Sequence, residues 1–125
     1  MNITEKIQKL INSFKGDDAV LDILKSDISS LGDYVNSVYL MKATLPIIRF
    51  KYEGKDLRYH VEKLDHRRRD HHERVIVAVK RINRFAKIAN LDPIYDGNED
   101  DRYAIAEFCS ECVNTYFENR TCARN

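Results

Sequence analysis

The sequence predicts an all-α protein, a compact bundle of four or five helices around one long central helix over roughly residues 56–90. Three observations carry this. Apolar residues recur at helical steps through most of the 125-residue chain. Gly (4) and Pro (2) are scarce, whereas an all-β domain needs many turns and so many breakers. Hydrophobic residues make up 43% and charged residues 33%, too apolar a mixture for a disordered chain. The length suits one domain with a real core, so residues 1–125 are expected to form a single helical domain.

The first helix is carried by Ile3, Ile7, Leu10, Ile11 and Phe14, with Lys6 and Lys9 facing away. Gly16 suits its end, and Asp17 or Asp18 suits the cap of the next helix. There Val20, Leu24, Ile28, Leu31, Val35 and Val38 step by four and three. The stripe passes through Gly32, where a kink or break is expected, and Pro46 is expected to close the helix by disfavouring helical backbone at Leu45.

Residues 47–61 admit two readings. Ile48, Phe50 and Tyr52 alternate with charged residues, as do Leu57, Tyr59 and Val61, which fits a β-hairpin around Glu53-Gly54-Lys55-Asp56. The helical reading makes the segment a short connection into a long helix capped by Asp56. It is favoured because Leu57, Val61 and Leu64 continue into Val75, Val79, Ile82 and Ala86. Asp92-Pro93 is expected to stop that helix, and Tyr95-Asp96-Gly97-Asn98 to form a loop. Asn98 is a candidate N-cap for a last helix whose wide apolar face runs through Ile105, Phe108, Cys109, Cys112, Val113, Tyr116 and Phe117.

Between Leu64 and Val75 the long helix has no apolar residue. At about 100° per residue, Arg68 falls in the middle of the apolar stripe and His72 on its shoulder. Asp65, His72 and Asn83 line one edge, with Arg69 close by. Either the stripe meets solvent here, or Arg68 and His72 turn inward into a polar network with Asp65, Arg69, Asn83 or acids of another helix. A buried arginine without a carboxylate would cost several kcal/mol, so the inward reading demands partners.

Charge is unevenly spread. Net charge is +1, with residues 1–54 balanced, 55–90 carrying 11 basic and 5 acidic side chains, and 91–125 carrying 3 basic and 8 acidic. The basic middle and the acidic end are expected to pack near each other. Arg67, Arg74, Lys80, Arg81, Arg84 and Lys87 are candidate nucleic-acid contacts along the basic helix 63–87. On the helical wheel, however, the basic residues split to either side of the apolar stripe and mix with Glu62, Asp70 and Glu73, as a solvated, salt-bridged surface would.

Metal and nucleophilic chemistry find little support. His66 and Asp70, and Glu62 and His66, stand four residues apart, but di-iron bundles draw such ligands from four helices. His72-Glu73 lacks the second histidine of a metalloprotease helix. Cys109 and Cys112 have no second pair and follow a helical pattern, as core residues do. No metal site, cofactor or catalytic residue is therefore expected. The three cysteines, an odd number, and the lack of a leader-like or membrane-length apolar run point to a reducing, cytoplasmic setting without membrane insertion.

The pattern Asp65-x2-Arg68-Arg69-x2-His72-x3-Ile76-x6-Asn83-Arg84 resembles a family of small uncharacterised bacterial helical proteins, found in part in phages and mobile elements. The likeness covers about 20 residues. It implies a helical fold and points to Asp65, Arg69, His72 and Asn83, but it brings no activity. The expected role is non-enzymatic: a protein-interaction or regulatory module whose partner is another protein or, as a homodimer, a second copy of itself. Nucleic-acid binding through the basic helix is the alternative, and a metal-dependent protein a distant third.

Overall fold

The computed structural model describes residues 2–124, with the side chains of Thr4 and of residues 115–124 left outside the description. It contains α1 (Ile3–Ser13), α2 (Asp18–Lys51), α3 (Gly54–Ile88) and α4 (Arg102–Arg124), and no strand among the described residues. The all-α expectation holds. The hairpin alternative at 47–61 does not: this stretch is the end of one helix, a tight reversal and the start of the next.

Local chemistry sets the helix ends. The Asn2 side chain accepts from the Glu5 N–H at 2.9 Å, satisfying one donor that the first turn of α1 leaves free. Gly16, at φ +92°, supplies the left-handed residue that turns the chain out of α1. Asp17 caps α2 by accepting from the Val20 N–H. In place of Asp56, Glu53 holds the N-cap position of α3 and makes no side-chain cap bond, and Gly54 at φ +57° makes the reversal. Asn98 is likewise not the cap of α4. Asp101 is, accepting from the Tyr103 and Ala104 N–H groups at 3.0 and 3.2 Å.

α3 also ends earlier than Asp92-Pro93. Asn90 adopts φ +59°, the Leu91 N–H bonds the Ala86 carbonyl at 2.8 Å, and the Asn90 N–H bonds the Lys87 carbonyl at 3.1 Å. This pair of bonds is the Schellman arrangement, whose left-handed position asparagine tolerates better than most residues other than glycine. Leu91 then folds back onto the core.

Neither Gly32 nor Pro46 stops α2, which runs unbroken to Lys51. Pro46 lacks the N–H that would bond the Lys42 carbonyl and normally costs a helix interior about 3 kcal/mol. The helix persists because its opposite face is packed: Ile48, two residues on, is buried. Pro46 itself lies on the exposed side of the helix, as does Lys42, whose carbonyl it frees. The spine of the fold is therefore an antiparallel pair of long helices, α2 and α3, rather than one central helix.

The apolar stripes meet as their spacing requires. Ile7 and Leu10 of α1, Leu24, Leu31 and Tyr34 of α2, Val75, Val79 and Ile82 of α3, and Ile105, Phe108, Cys109 and Cys112 of α4 form one buried cluster. Each such aliphatic or aromatic side chain contributes about 1.5–3 kcal/mol by leaving water. Tyr116 and Phe117, also expected on this face, lie outside the described side chains. The cluster occupies the part of the α2–α3 pair away from the Tyr52-Glu53 reversal.

Candidate functional site

The polar segment of α3 turns partly inward. Arg68, in the middle of the stripe, is buried at 7% exposure. Its Nε donates to Asp65 Oδ1 at 3.1 Å, while Arg69 Nε sits 3.2 Å from Asp65 Oδ2, so one carboxylate serves two guanidinium groups. Beside Arg68 lies Tyr34 of α2, 1% exposed. Burial raises the Tyr34 hydroxyl pKa above its ordinary value, against the opposing hydrogen bond and positive charge of Arg68. Arg68 Nη1 has no hydrogen-bond partner, and it stands alone in this among buried side-chain nitrogens and oxygens of the described residues.

His72 and Asn83 do not join that cluster. They hold the connection between α3 and α4 against the edge of α3 on which the helical wheel aligned them. His72 Nε2 lies 2.9 Å from the Glu99 carbonyl, which only accepts, so this nitrogen carries the proton and donates. The His72 ring also packs against Tyr34, with centroids 5.6 Å apart. Asn83 uses both ends of its amide: Nδ2 donates to the Tyr95 carbonyl at 2.9 Å, and Oδ1 accepts from the Ile94 and Tyr95 N–H groups at 2.9 and 3.2 Å. The predicted polar residues thus form two devices, an arginine pair on Asp65 and a clasp on the loop.

The loop is shaped to be clasped. Tyr95 packs against Phe108, with ring centroids 4.8 Å apart, and its hydroxyl donates to the Asn98 carbonyl at 2.8 Å. Gly97 lies so close beneath it that an added Cβ would come within 2.7 Å of the Tyr95 hydroxyl oxygen, so no larger residue fits without a shift. Burial, then the nearby Asp101, Glu99 and Asp96 carboxylates, raise the Tyr95 pKa. Lys80 reaches Glu99 at 3.7 Å. The acidic connection thereby lies against the basic helix, as the charge layout anticipated.

The six basic candidates have unlike surroundings. Arg81 forms a forked pair with Asp27 of α2, Nε at 3.2 and 2.9 Å from the two carboxylate oxygens and Nη2 at 2.7 Å from Oδ1. Asp27 is 1% exposed, so Arg81 neutralises a buried charge. Lys80 is turned toward Glu99. Arg67 and Arg74 border a groove together with Asp33 and Asp70, and Arg84 and Lys87 are exposed. Asp27 was missed in the sequence, although its position, three residues after Leu24 and four before Leu31, places it on the buried stripe of α2.

Cys109 and Cys112 are buried core residues at 0% and 1% exposure. Burial pushes the Cys109 thiol up to about 12 and raises that of Cys112 as well, the reverse of what activates a nucleophile. Cys122 lies outside the described side chains. Among the described residues no three His, Cys, Asp or Glu side chains gather as a metal site, and no helix is long and apolar enough to cross a membrane. His66 and Asp70 stand 3.6 Å apart as an exposed pair.

A second apolar surface runs across Pro46, where the sequence pattern predicted the helix to end. In the last turns of α2, Tyr39, Ala43, Pro46 and Phe50 follow steps of four, three and four, with Leu40 and Ile47 alongside. At about 100° per residue all six fall within an arc of about 120°. All are exposed, Phe50 at 95%, Tyr39 at 70% and Ile47 at 65%. The arc lies away from buried Ile48, so α2 carries one stripe into the core and another, farther along, facing out. Lys42, Arg49 and Lys51 flank it, and no acid occurs between Asp33 and Glu53.

A family model described as "Protein of unknown function (DUF3232)" matches residues 1–122. No curated protein and no solved structure matches the chain.

Proposed function

The chain belongs to the DUF3232 family of proteins of unknown function, and from that premise we propose that it is a non-enzymatic protein-interaction module, docking an amphipathic helix with acidic flanks along the last turns of α2. The supporting observation is the outward seam of Tyr39, Ala43, Pro46, Ile47 and Phe50 on an already formed helix. Apolar residues at four-and-three spacing are what a second helix packs against. Because α2 is held by α3 and the core, docking requires little ordering on this side of the interface.

Charge selects the occupant. In an antiparallel pair of identical seams, Lys42 of one copy would face Arg49 of the other, at a repulsive cost. A partner helix with glutamate or aspartate beside its apolar stripe meets Lys42, Arg49 and Lys51 favourably. The seam spans 12 residues, about 17 Å of helix, which suits a regulated contact more than a permanent one. The cytoplasmic, bacterial and mobile-element setting drawn from cysteine usage and the resemblance belongs to the same proposal.

The test is fluorescence anisotropy of two labelled amphipathic peptides, alike except that one has glutamate flanks and the other lysine flanks. The acidic peptide binds the native chain, and Ile47→Asp abolishes binding without changing the melting temperature, since Ile47 is exposed. Preference for the lysine peptide, or indifference to Ile47→Asp, refutes the reading. Sedimentation of the chain alone and flotation with phosphatidylserine vesicles complete the test. An Ile47-dependent dimer would make a second copy the occupant, and Ile47-dependent flotation would make it a lipid surface.

A further inference from the structure

A cavity of about 430 Å3 opens between the middle of α2, Arg68 of α3 and the first turns of α4. Its volume falls within the range of small-molecule sites. Tyr34 and Arg68, both buried, form its inner wall, while Val35, Val38 and Ala106 make much of the rest apolar. Lys42, Arg68 and Arg102 line it against a single carboxylate, Glu107.

The charge on Arg68 is incompletely met. Its side chain is only 9% exposed, and its counter-ion, Asp65, is shared with Arg69. Nη1 is buried without a hydrogen-bond partner among the described residues. A desolvated guanidinium with an unused donor is destabilising unless an acceptor reaches it. Guanidinium groups match carboxylate and phosphate oxygens in geometry and charge. A buried, under-paired arginine in the wall of a mostly apolar, net positive cavity is thus arranged for an anion carrying a carbon body.

We propose that this cavity binds a small organic anion, its carboxylate or phosphate head paired with Arg68 and approached by Arg102, its carbon body against Val38, Ala106 and the rings of Tyr34 and Tyr103. The site is independent of the helix-docking reading. Tyr39 and Lys42 border both surfaces, so variants at Arg68 and Arg102 separate the two.

The experiment is calorimetric titration of the full chain with benzoate, phenyl phosphate, inorganic phosphate and benzyl alcohol, with amide chemical shifts followed in parallel. At least one of benzoate and phenyl phosphate binds, shifting Tyr34 and Arg68, and benzyl alcohol binds at least tenfold more weakly. Whichever of the two binds more tightly identifies the head group. Arg68→Met and Arg102→Glu each weaken binding at least tenfold. Arg102 is exposed, so its variant keeps the native circular dichroism spectrum and remains informative if Arg68→Met fails to fold. The proposal is overturned if no organic anion binds, if benzyl alcohol or inorganic phosphate binds as tightly as the aromatic anions, or if Arg102→Glu, folded, binds as the native chain does.

Discussion

Replacing Asn83 with alanine removes three hydrogen bonds at once. The Ile94 and Tyr95 N–H groups lose their shared acceptor and the Tyr95 carbonyl loses its donor. Ile94 and Tyr95 are 3% and 9% exposed, so water does not readily substitute. A buried backbone group left unpaired costs about 1–3 kcal/mol, and the loop can relax to recover part of it, so a loss of about 3 kcal/mol is expected. Against the roughly 5–15 kcal/mol that stabilises a typical domain this is large. In urea, with a slope of about 2 kcal/mol per molar, the unfolding midpoint falls by about 1.5 M at unchanged slope. Circular dichroism at 222 nm reads it directly. A loss below about 1 kcal/mol would mean that the apolar side chains of Ile94 and Tyr95 hold the loop and that the clasp is incidental. A double-mutant cycle with Asp65→Ala adds a second check. The two residues share no partner, so their effects should add within about 0.5 kcal/mol, whereas one continuous polar network would couple them.

Arg81→Met strands the buried Asp27 carboxylate and should cost about 3 kcal/mol in the same unfolding assay. Adding Asp27→Leu should recover most of it, because an apolar pair tolerates burial that a lone charge does not. A single-variant loss below about 1 kcal/mol would show that the pair carries no such burden. Cys109 and Cys112 should resist iodoacetamide at pH 8 in the folded chain and react on unfolding, as peptide mapping at the two positions would show. The Cys109 thiol sits at about 12 in the folded state and near 8.5 when unfolded, so its stabilising contribution is whole below about pH 8.5 and declines as pH rises toward 12. Stability that is flat across that alkaline range would contradict its burial. Pro46→Ala should raise the melting temperature by restoring the bond to the Lys42 carbonyl, with a gain of about 1–2 kcal/mol. A fall would show that packing has come to depend on the proline.

Much of the helical layout was legible in the sequence because amphipathic spacing is a local signal with a fixed period. The stripes through Ile7 and Leu10, Leu24 and Leu31, Val75 and Ile82, and Ile105 and Phe108 all face the core. Wheel geometry placed Arg68 in the middle of the stripe and Asp65, His72 and Asn83 on one edge, and only the packed structure decided that Arg68 is buried. Where local rules failed, a tertiary term outweighed them. Packing on α3 carries α2 through Pro46, against a local cost of about 3 kcal/mol. The caps shifted from Asp56 and Asn98 to Glu53 and Asp101 because chain reversal at Gly54 and the clasped loop fix where the next helix begins.

The sequence by itself determined that the chain is helical, which faces are apolar and which polar residues share an edge, since each follows from spacing along one element. Only the tertiary structure decided what those residues meet. Asn83 and His72 meet a loop, Arg81 meets a buried aspartate 54 positions away, and Arg68 meets Tyr34 and a cavity wall. Partners so distant in the chain are set by how helices pack against one another, and the energy of a buried charge depends on those partners rather than on its neighbours in sequence.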